Sequence, residues 1–554
     1  MSGIDVDFAI TSEETRVGSM LNPKCASVSI AGSLSFLFLF SSPLVLSAQQ
    51  VSLGELEFPT SGATSAQPDF IRGVLYMHSF EYDYAADAFR KAQEADPSFA
   101  MAYWGEAMTH HHSLWAVQRL EAAQAVLMRL GDTSEARGTK APTQREKDYV
   151  RAAEILFGMT AETRDLGKLE RDVHYRNAMR ELHFAYPDDL EARAFYGLSI
   201  LGVGSVDRDY ATYIRAAAIL TPVWDANRLH PGGAHYLIHS YDDPVHSILG
   251  LPMARAYGEY AVGASHAQHM TSHIYVALGL WDDMIAANVT ALGIESSKTV
   301  GEGALSREAW HHRYWLHYGR LQKGQLEESN VMLRFSLDRL SDNPLPREPD
   351  YFGAMYARYL IDTENCDDAE NWLAPENVEI AVPHYYFARA FCAAKLGQLD
   401  QARELSASMQ PDGSANAEII LAPVELEILE LEIDAVIALA EGNSEQALKT
   451  AREAVELQTS MPFRYGPPRI SKPSAELLGD ILLQLGHNEE AALVYQDQLT
   501  RSQLRTNSLL GLARASARAG DATTSQEAYS ELANIWHDAD SAFPALAEVR
   551  GQNL

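Results

Sequence analysis

Cysteine is nearly absent, with three in 554 residues, and Cys25 lies ahead of the first apolar run. That scarcity excludes a disulfide framework of the kind that staples small secreted domains. Cys366 and Cys392 remain, and the sequence fits either a bonded pair or two separate buried thiols. Positive charge is also short: 44 Lys plus Arg stand against 75 Asp plus Glu, a formal charge of -31. Such a chain repels phosphate backbones and gains nothing from counterion release, so nucleic acid is not an expected partner. After residue 48 no run is apolar enough to span a bilayer. Strand-like alternation is missing, as are an HExxH pair, a Gly-rich phosphate loop and a dinucleotide fingerprint, and "YGLSILGVGS" is not a nucleophile elbow. Any chemistry must therefore be carried by a bound metal.

With 47% hydrophobic residues the chain can bury a large core. The stretch that begins at Met20, a candidate start, contains one lysine, the apolar run "LSFLFLF" and small residues Ser47 and Ala48 before a polar continuation. This pattern reads as a signal peptide over 1–48. The alternative, an uncleaved anchor helix, is interrupted by Ser41, Ser42 and Pro43. The expected product is an exported protein, periplasmic or extracellular, that is not integral to the membrane, with a flexible lead over 49–69.

Internal repetition dominates the remainder. "LLGDILLQLGHNEEAALVYQ" and "LLGLARASARAGDATTSQEAYS" align at a shift of 34 residues, placing Leu478 on Leu512, Gly486 on Gly520 and Tyr495 on Tyr529. The same junction, a Gly or Asn followed by acidic and then small residues, recurs in "LGLWDDMIAAN", "KGQLEESNVM", "ENCDDAENWL", "LGQLDQAREL" and "EGNSEQALKT". Glycine ends one helix in a left-handed conformation and acidic residues favour the start of the next. In "FEYDYAADAFRKAQEADPSFAMAYWGEAM", Ala85, Phe89, Ala92 and Pro97 hold the small, aromatic, small and helix-ending positions.

These features resemble the tetratricopeptide repeat family over most of 70–540, specifically at both ends and more weakly in the centre. The resemblance implies an all-α helix-turn-helix solenoid, a right-handed superhelix whose concave groove takes a protein or peptide partner. The expected division is 70–460 for the solenoid and 461–554 for C-terminal repeats, set off by "SMPFRYGPPRISKP". "HYLIHSYDDP", "HMTSHIYVALGLWD" and "FRYGPPRISKP" together also resemble a group of secreted bacterial tetratricopeptide proteins, a likeness that implies no activity.

Histidine is concentrated in the centre, with ten of nineteen between His230 and His317. Pro231 suits a first helical turn and Pro244 a stop, so His235 and His239 lie one turn apart on one face. His269 and His273 repeat the arrangement 34 residues later, as Tyr275 repeats Tyr241. Equivalent helices of adjacent repeats run side by side, about 8 to 10 Å apart, so the two pairs can converge on one ion. Neutral imidazole suits zinc, copper or iron, and Asp242 and His246 complete the candidate metal set. Structural histidines retained by repeat duplication are the competing reading. Nearby, His110, His111 and His112 end a helix and point in different directions, while His311 or His312 could face the same groove. Asp242, Asp243 and Glu259 are the acid/base candidates. Two functions follow: a partner-binding scaffold with a histidine-lined metal site, or a metal-dependent hydrolase or oxidoreductase on a helical-repeat frame.

Overall fold

The computed structural model describes residues 52–552, apart from 206–207, 297–304, 341–343, 346 and 410–420. The expected signal peptide lies outside the described residues. The described part of the chain is an all-α helical-repeat solenoid, in which twenty-five helices follow one another from Gln67 to Arg550. Each packs chiefly on its sequence neighbours. Alternate helices form a second set of contacts: Pro231–Tyr241 touches Ser265–Ala277, which touches Arg307–Gln322, and Ser474–Leu485 touches Thr506–Ala519. Contacts made chiefly between near neighbours are those of a stacked repeat.

Local sequence explains the units. Gly486 and Gly520 end their helices at φ +83° and +86°, the left-handed caps expected of them. Asp521 then caps the helix that follows Gly520 through its side chain, as Asn443 does after Gly442. In the helix Tyr82–Ala95, Ala85, Phe89 and Ala92 are all buried on one face. The Phe89 ring lies so close to Gly73 and Gly105 that a Cβ at either would meet it at 2.7 or 2.4 Å. Tyr495 is gripped in the same way between Gly479 and Gly511. Aromatic wedges against glycine thus set the helix-pair spacing at both ends.

Some local expectations change. The junction "ENCDDAENWL" forms a short 3₁₀ helix, Cys366–Trp372, instead of an α-helical repeat arm. Asp368 explains it: its carboxylate accepts from the Tyr359 hydroxyl at 2.7 Å and Trp372 Nε1 at 2.8 Å, and so draws the turn tight. Cys366 is bonded to Cys392. His111 and His112 do not end a helix but pair with Val117 and Gln118 in a two-residue ribbon. The lead after Val51 is extended and docked: Leu53 and Phe58 are buried, and Glu55 N donates to Leu229 O at 2.9 Å.

The last helices return to the middle of the chain. Trp281 Nε1 donates to Leu504 O at 3.1 Å, Trp536 Nε1 to Gln322 O at 2.8 Å, and Gln503 Nε2 to Pro244 O at 3.1 Å. Between them sits a buried ionic knot in which Arg505 binds Glu476 at 2.8 Å and Asp362 at 2.6 Å, and Lys472 binds Glu476 at 3.1 Å. Burial alone would raise the Glu476 carboxyl, but Arg505 and Lys472 outweigh it and hold it down at about 2. No described helix is long and apolar enough to cross a membrane.

Candidate metal centre

The histidine helices are interior ones. Pro231 through Ser240 and Ser265 through Val276 are buried without interruption, so the imidazoles are enclosed rather than lining an open wall. A helix buried all round normally carries apolar residues on every face. Here it carries His235, His239, His266, His269 and His273, the first and fourth of them at 0% exposure.

Hydrogen bonds fix how these rings point. His235 Nδ1 donates to the His78 carbonyl at 2.6 Å. His269 Nδ1 donates to Asn288 Oδ1 at 2.8 Å, and Asn288 is oriented by its own Nδ2 bond to Met284 O at 2.9 Å. His273 Nδ1 donates to Asp242 Oδ2 at 2.7 Å. A carbonyl or carboxylate can only accept, so all three rings carry their proton on Nδ1 and present a lone pair at Nε2. Outer hydrogen bonds of this kind are how metal-binding imidazoles are oriented.

The Nε2 atoms face one another. His239 Nε2 is 3.1 Å from that of His235, His273 Nε2 is 3.2 Å from that of His269, and His311 Nε2 is 2.7 Å from that of His269. His239 and His311 can each supply a proton to one neighbour. His269 and His273 cannot supply one to each other, since both protons are committed at Nδ1. Two lone pairs aimed together in a buried site repel, and a cation held beside both would relieve that repulsion. Burial, reinforced by the surrounding imidazoles, drives His269, His239 and His266 well below the ordinary histidine range, and His235 down to about 3, so these four rings disfavour an added proton.

The ligand nitrogens fall into two triads, His235 with His239 and His266, and His269 with His273 and His311, each set lying within 4.8 Å. His266 Nε2 is buried and has no hydrogen-bond partner. Aromatic rings wall the triads: Phe80 lies 4.3 Å from His235, Trp315 4.5 Å from His273, and Tyr465 4.9 Å from His273. Phe80 reaches its place with φ at 55°, a left-handed conformation that bulky residues rarely adopt.

The residues singled out by spacing are thus placed as follows. His235, His239, His269 and His273 come together. Asp242 stands behind His273 as a hydrogen-bond acceptor. His246 is turned aside, held at 2.9 Å by Asp243, and does not reach the cluster. His266 was not picked out by spacing, because the equivalent residue one repeat earlier is Gly232, whose missing Cβ leaves room for His78. Of His311 and His312, both offered by the sequence as able to face the same groove, His311 is the one whose Nε2 meets that of His269, although it follows that residue by 42 positions instead of 34. Counted from the helix starts, however, His235, His269 and His311 are each the fifth residue of their helix. Allowing for one longer inter-helix loop would have selected it over His312.

A third group, His78 with Glu191 and His230, has no ligand atoms to spare. His230 Nδ1 accepts from Gly233 N at 3.1 Å, so its Nε2 must donate to Glu191 at 2.9 Å. His78 binds Glu191 at 2.6 Å and Tyr236 at 2.8 Å. This is a satisfied polar knot that holds the His78 carbonyl against His235.

Fold and site define a helical-repeat protein with a buried polyhistidine cluster. No family model matches the chain, and no curated protein sequence does. Among solved structures it is similar to Cut9 in the APC/C hetero-tetramer Cut9-Hcn1, at 11% identity and TM-score 0.30 over 87% of this chain and 76% of that one. It is similar to yeast Tom70, at 13% identity and TM-score 0.30 over 81% and 87%. It is also similar to human IFIT1, in a dimer with PPP-AAAA, at 12% identity and TM-score 0.33 over 86% and 91%. At such TM-scores the fold assignment rests on the helix succession described above.

Proposed function

We propose that the protein is an exported metalloprotein whose helical-repeat frame holds a transition-metal centre on His235, His239, His266, His269, His273 and His311. One observation carries the reading: the Nε2 lone pairs of His269 and His273 face each other at 3.2 Å while both Nδ1 protons are committed elsewhere. The donor set is imidazole without thiolate, which suits zinc, copper or iron. An ion held by three imidazoles keeps a position open for water or substrate, which is what hydrolytic or oxidative chemistry at a metal needs. Export is supported by the apolar segment after Met20 and by the bonded Cys366–Cys392 pair, since disulfides persist in oxidising compartments.

The test is elemental analysis by mass spectrometry on untagged protein, beside the variant His269→Ala/His273→Ala. Zinc, copper or iron near stoichiometry, lost in the variant, is the expected result. Metal-free protein that takes up no ion when offered one, and melts as the variant does, would refute it. Partner binding is a second use of the same frame. It is favoured by Val245, Ile248 and Leu249, exposed by 64%, 59% and 51% at one end of the helix Ser247–Tyr260, and is tested by whether Ile248→Asp abolishes pull-down of a protein or peptide.

A further inference from the structure

Resting on the metal reading above, we propose that the centre is dinuclear: one ion in each triad, the two bridged by a single small oxygen-donor anion such as hydroxide. Each triad is built by the same rule, two histidines one turn apart on one helix and a third from the next alternate helix. His235 and His239 on Pro231–Tyr241 take His266 from Ser265–Ala277, and His269 and His273 take His311 from Arg307–Gln322. The helix Ser265–Ala277 therefore serves both triads, with His266 turned to the first and His269, three residues on, turned to the second. Residues so spaced are neighbours on a helix surface, so the two ions cannot separate without breaking that helix.

Ring separations agree. Within the triads the centroids of His235 and His239 are 4.8 Å apart and those of His269 and His273 5.1 Å. Across the boundary, His239 to His273 is 6.0 Å and His266 to His269 is 6.3 Å. The step between triads is thus about an ångström longer than the step within one, which divides the rings into two groups instead of one. Six imidazoles cannot all lie about 2.0 to 2.1 Å from a single ion in this arrangement, whereas three can, and each three leaves an open position.

Charge and access select the bridge. Divalent ions would place much positive charge among neutral imidazoles, and a buried charge must be compensated. The acids that face the cluster are Asp242, behind His273, and Glu81 and Glu295, which flank the Ser265 hydroxyl one residue from His266. Among the described residues both triads are made of histidine alone. An anion between the ions meets that need, and the rings of Phe80, Trp115, Trp315 and Tyr465 packed against the histidines favour a small one.

The experiment is a titration of the stripped full chain with copper(II). Bound copper is counted after chelator washing, its paramagnetic resonance is integrated, and azide is then added as a bridging probe. Two ions per chain are expected, with most of their spin signal cancelled by coupling and a new azide charge-transfer band. His266→Ala and His311→Ala should each lower the count from two to one and restore the spin signal of the ion that remains. His246→Ala, outside the cluster, should change neither. One ion per chain that is insensitive to His266→Ala overturns the dinuclear proposal and leaves the metal reading intact, as do two ions with full, uncoupled spin. No bound ion overturns both. Far-UV circular dichroism and the second triad's retained ion show that each variant is folded.

Discussion

Asp242→Asn and Asp242→Leu should weaken the centre in a graded way. The Asp242 carboxylate accepts the Nδ1 proton of His273 at 2.7 Å, in a site where both side chains are almost fully buried. That bond keeps the His273 lone pair at Nε2, facing His269. A hydrogen bond to a charged acceptor contributes about 1.5 to 3 kcal/mol and a neutral one about 1. Asparagine can still accept but lacks the charge, so a loss near 1.4 kcal/mol, about tenfold in affinity, is expected. Leucine accepts nothing and lets the ring turn, for a loss of about 10- to 100-fold, the range seen when outer-shell partners of metal ligands are removed. The assay is competition for zinc between the stripped protein and a chromophoric chelator at neutral pH. Asn288→Leu, acting through His269, should resemble the leucine variant, and His246→Ala should match the wild type. If both Asp242 variants bind zinc within twofold of the wild type, or if asparagine is worse than leucine, the assignment of Nδ1 as donor and Nε2 as ligand is wrong.

Reduction of Cys366–Cys392, which closes a loop of 26 residues, should destabilise the chain by about 3.5 kcal/mol on the chain-entropy account. Urea melts with and without dithiothreitol check this, and coincident curves would count against it. The Glu476 carboxyl is held down at about 2 by Arg505 and Lys472, so its contribution is complete above the unfolded carboxylate value, about 4.3, and vanishes as pH falls towards 2. Glu476→Gln should cost about 3 to 5 kcal/mol at pH 7, because Arg505 and Lys472 lose a buried partner, and should flatten the pH dependence of Tm between about 4.3 and 2. His317 is fully buried, and neither ring nitrogen has a hydrogen-bond partner. His317→Leu should therefore raise stability by about 1 to 3 kcal/mol; a destabilised variant would show that the imidazole has a use that the geometry does not reveal.

The repeat was legible in the sequence because its determinants are local. Gly486, Gly520, Ala85 and Phe89 each act through a neighbouring turn or helix, and a shift of 34 aligns them. Two-thirds of the triad ligands were legible for the same reason: an i, i+4 pair duplicated one period later declares itself. His311 was legible only as one of two choices with His312, because a longer loop breaks the period that would have selected it, although its position within its own helix is unchanged. His266 was hidden because repetition points to Gly232, and a glycine makes room for a neighbour while revealing nothing about what its counterpart will carry. Asp242 was legible as part of the site, but spacing cannot say whether a carboxylate near a histidine takes the metal or the far side of the ring. The interior position of the histidine helices and the return of Leu504 and Trp536 to the middle of the chain depend on contacts between residues some 200 positions apart, and no window of sequence contains them.

That return makes this array unlike an open stack. In an open solenoid a unit can be duplicated or lost at little cost, since every unit meets only its neighbours. Here Leu504 must arrive at Trp281, and Thr506 at Gln322. One unit more or fewer between them would carry the meeting surfaces apart by at least a helix width, about 8 to 10 Å. The copy number is thereby fixed, as the number of staves is fixed in a hooped cask, and the chain should lengthen in evolution through its loops and not through whole repeats. The same closure joins early and late segments into one cooperative body, so unfolding should not fray inward from an end.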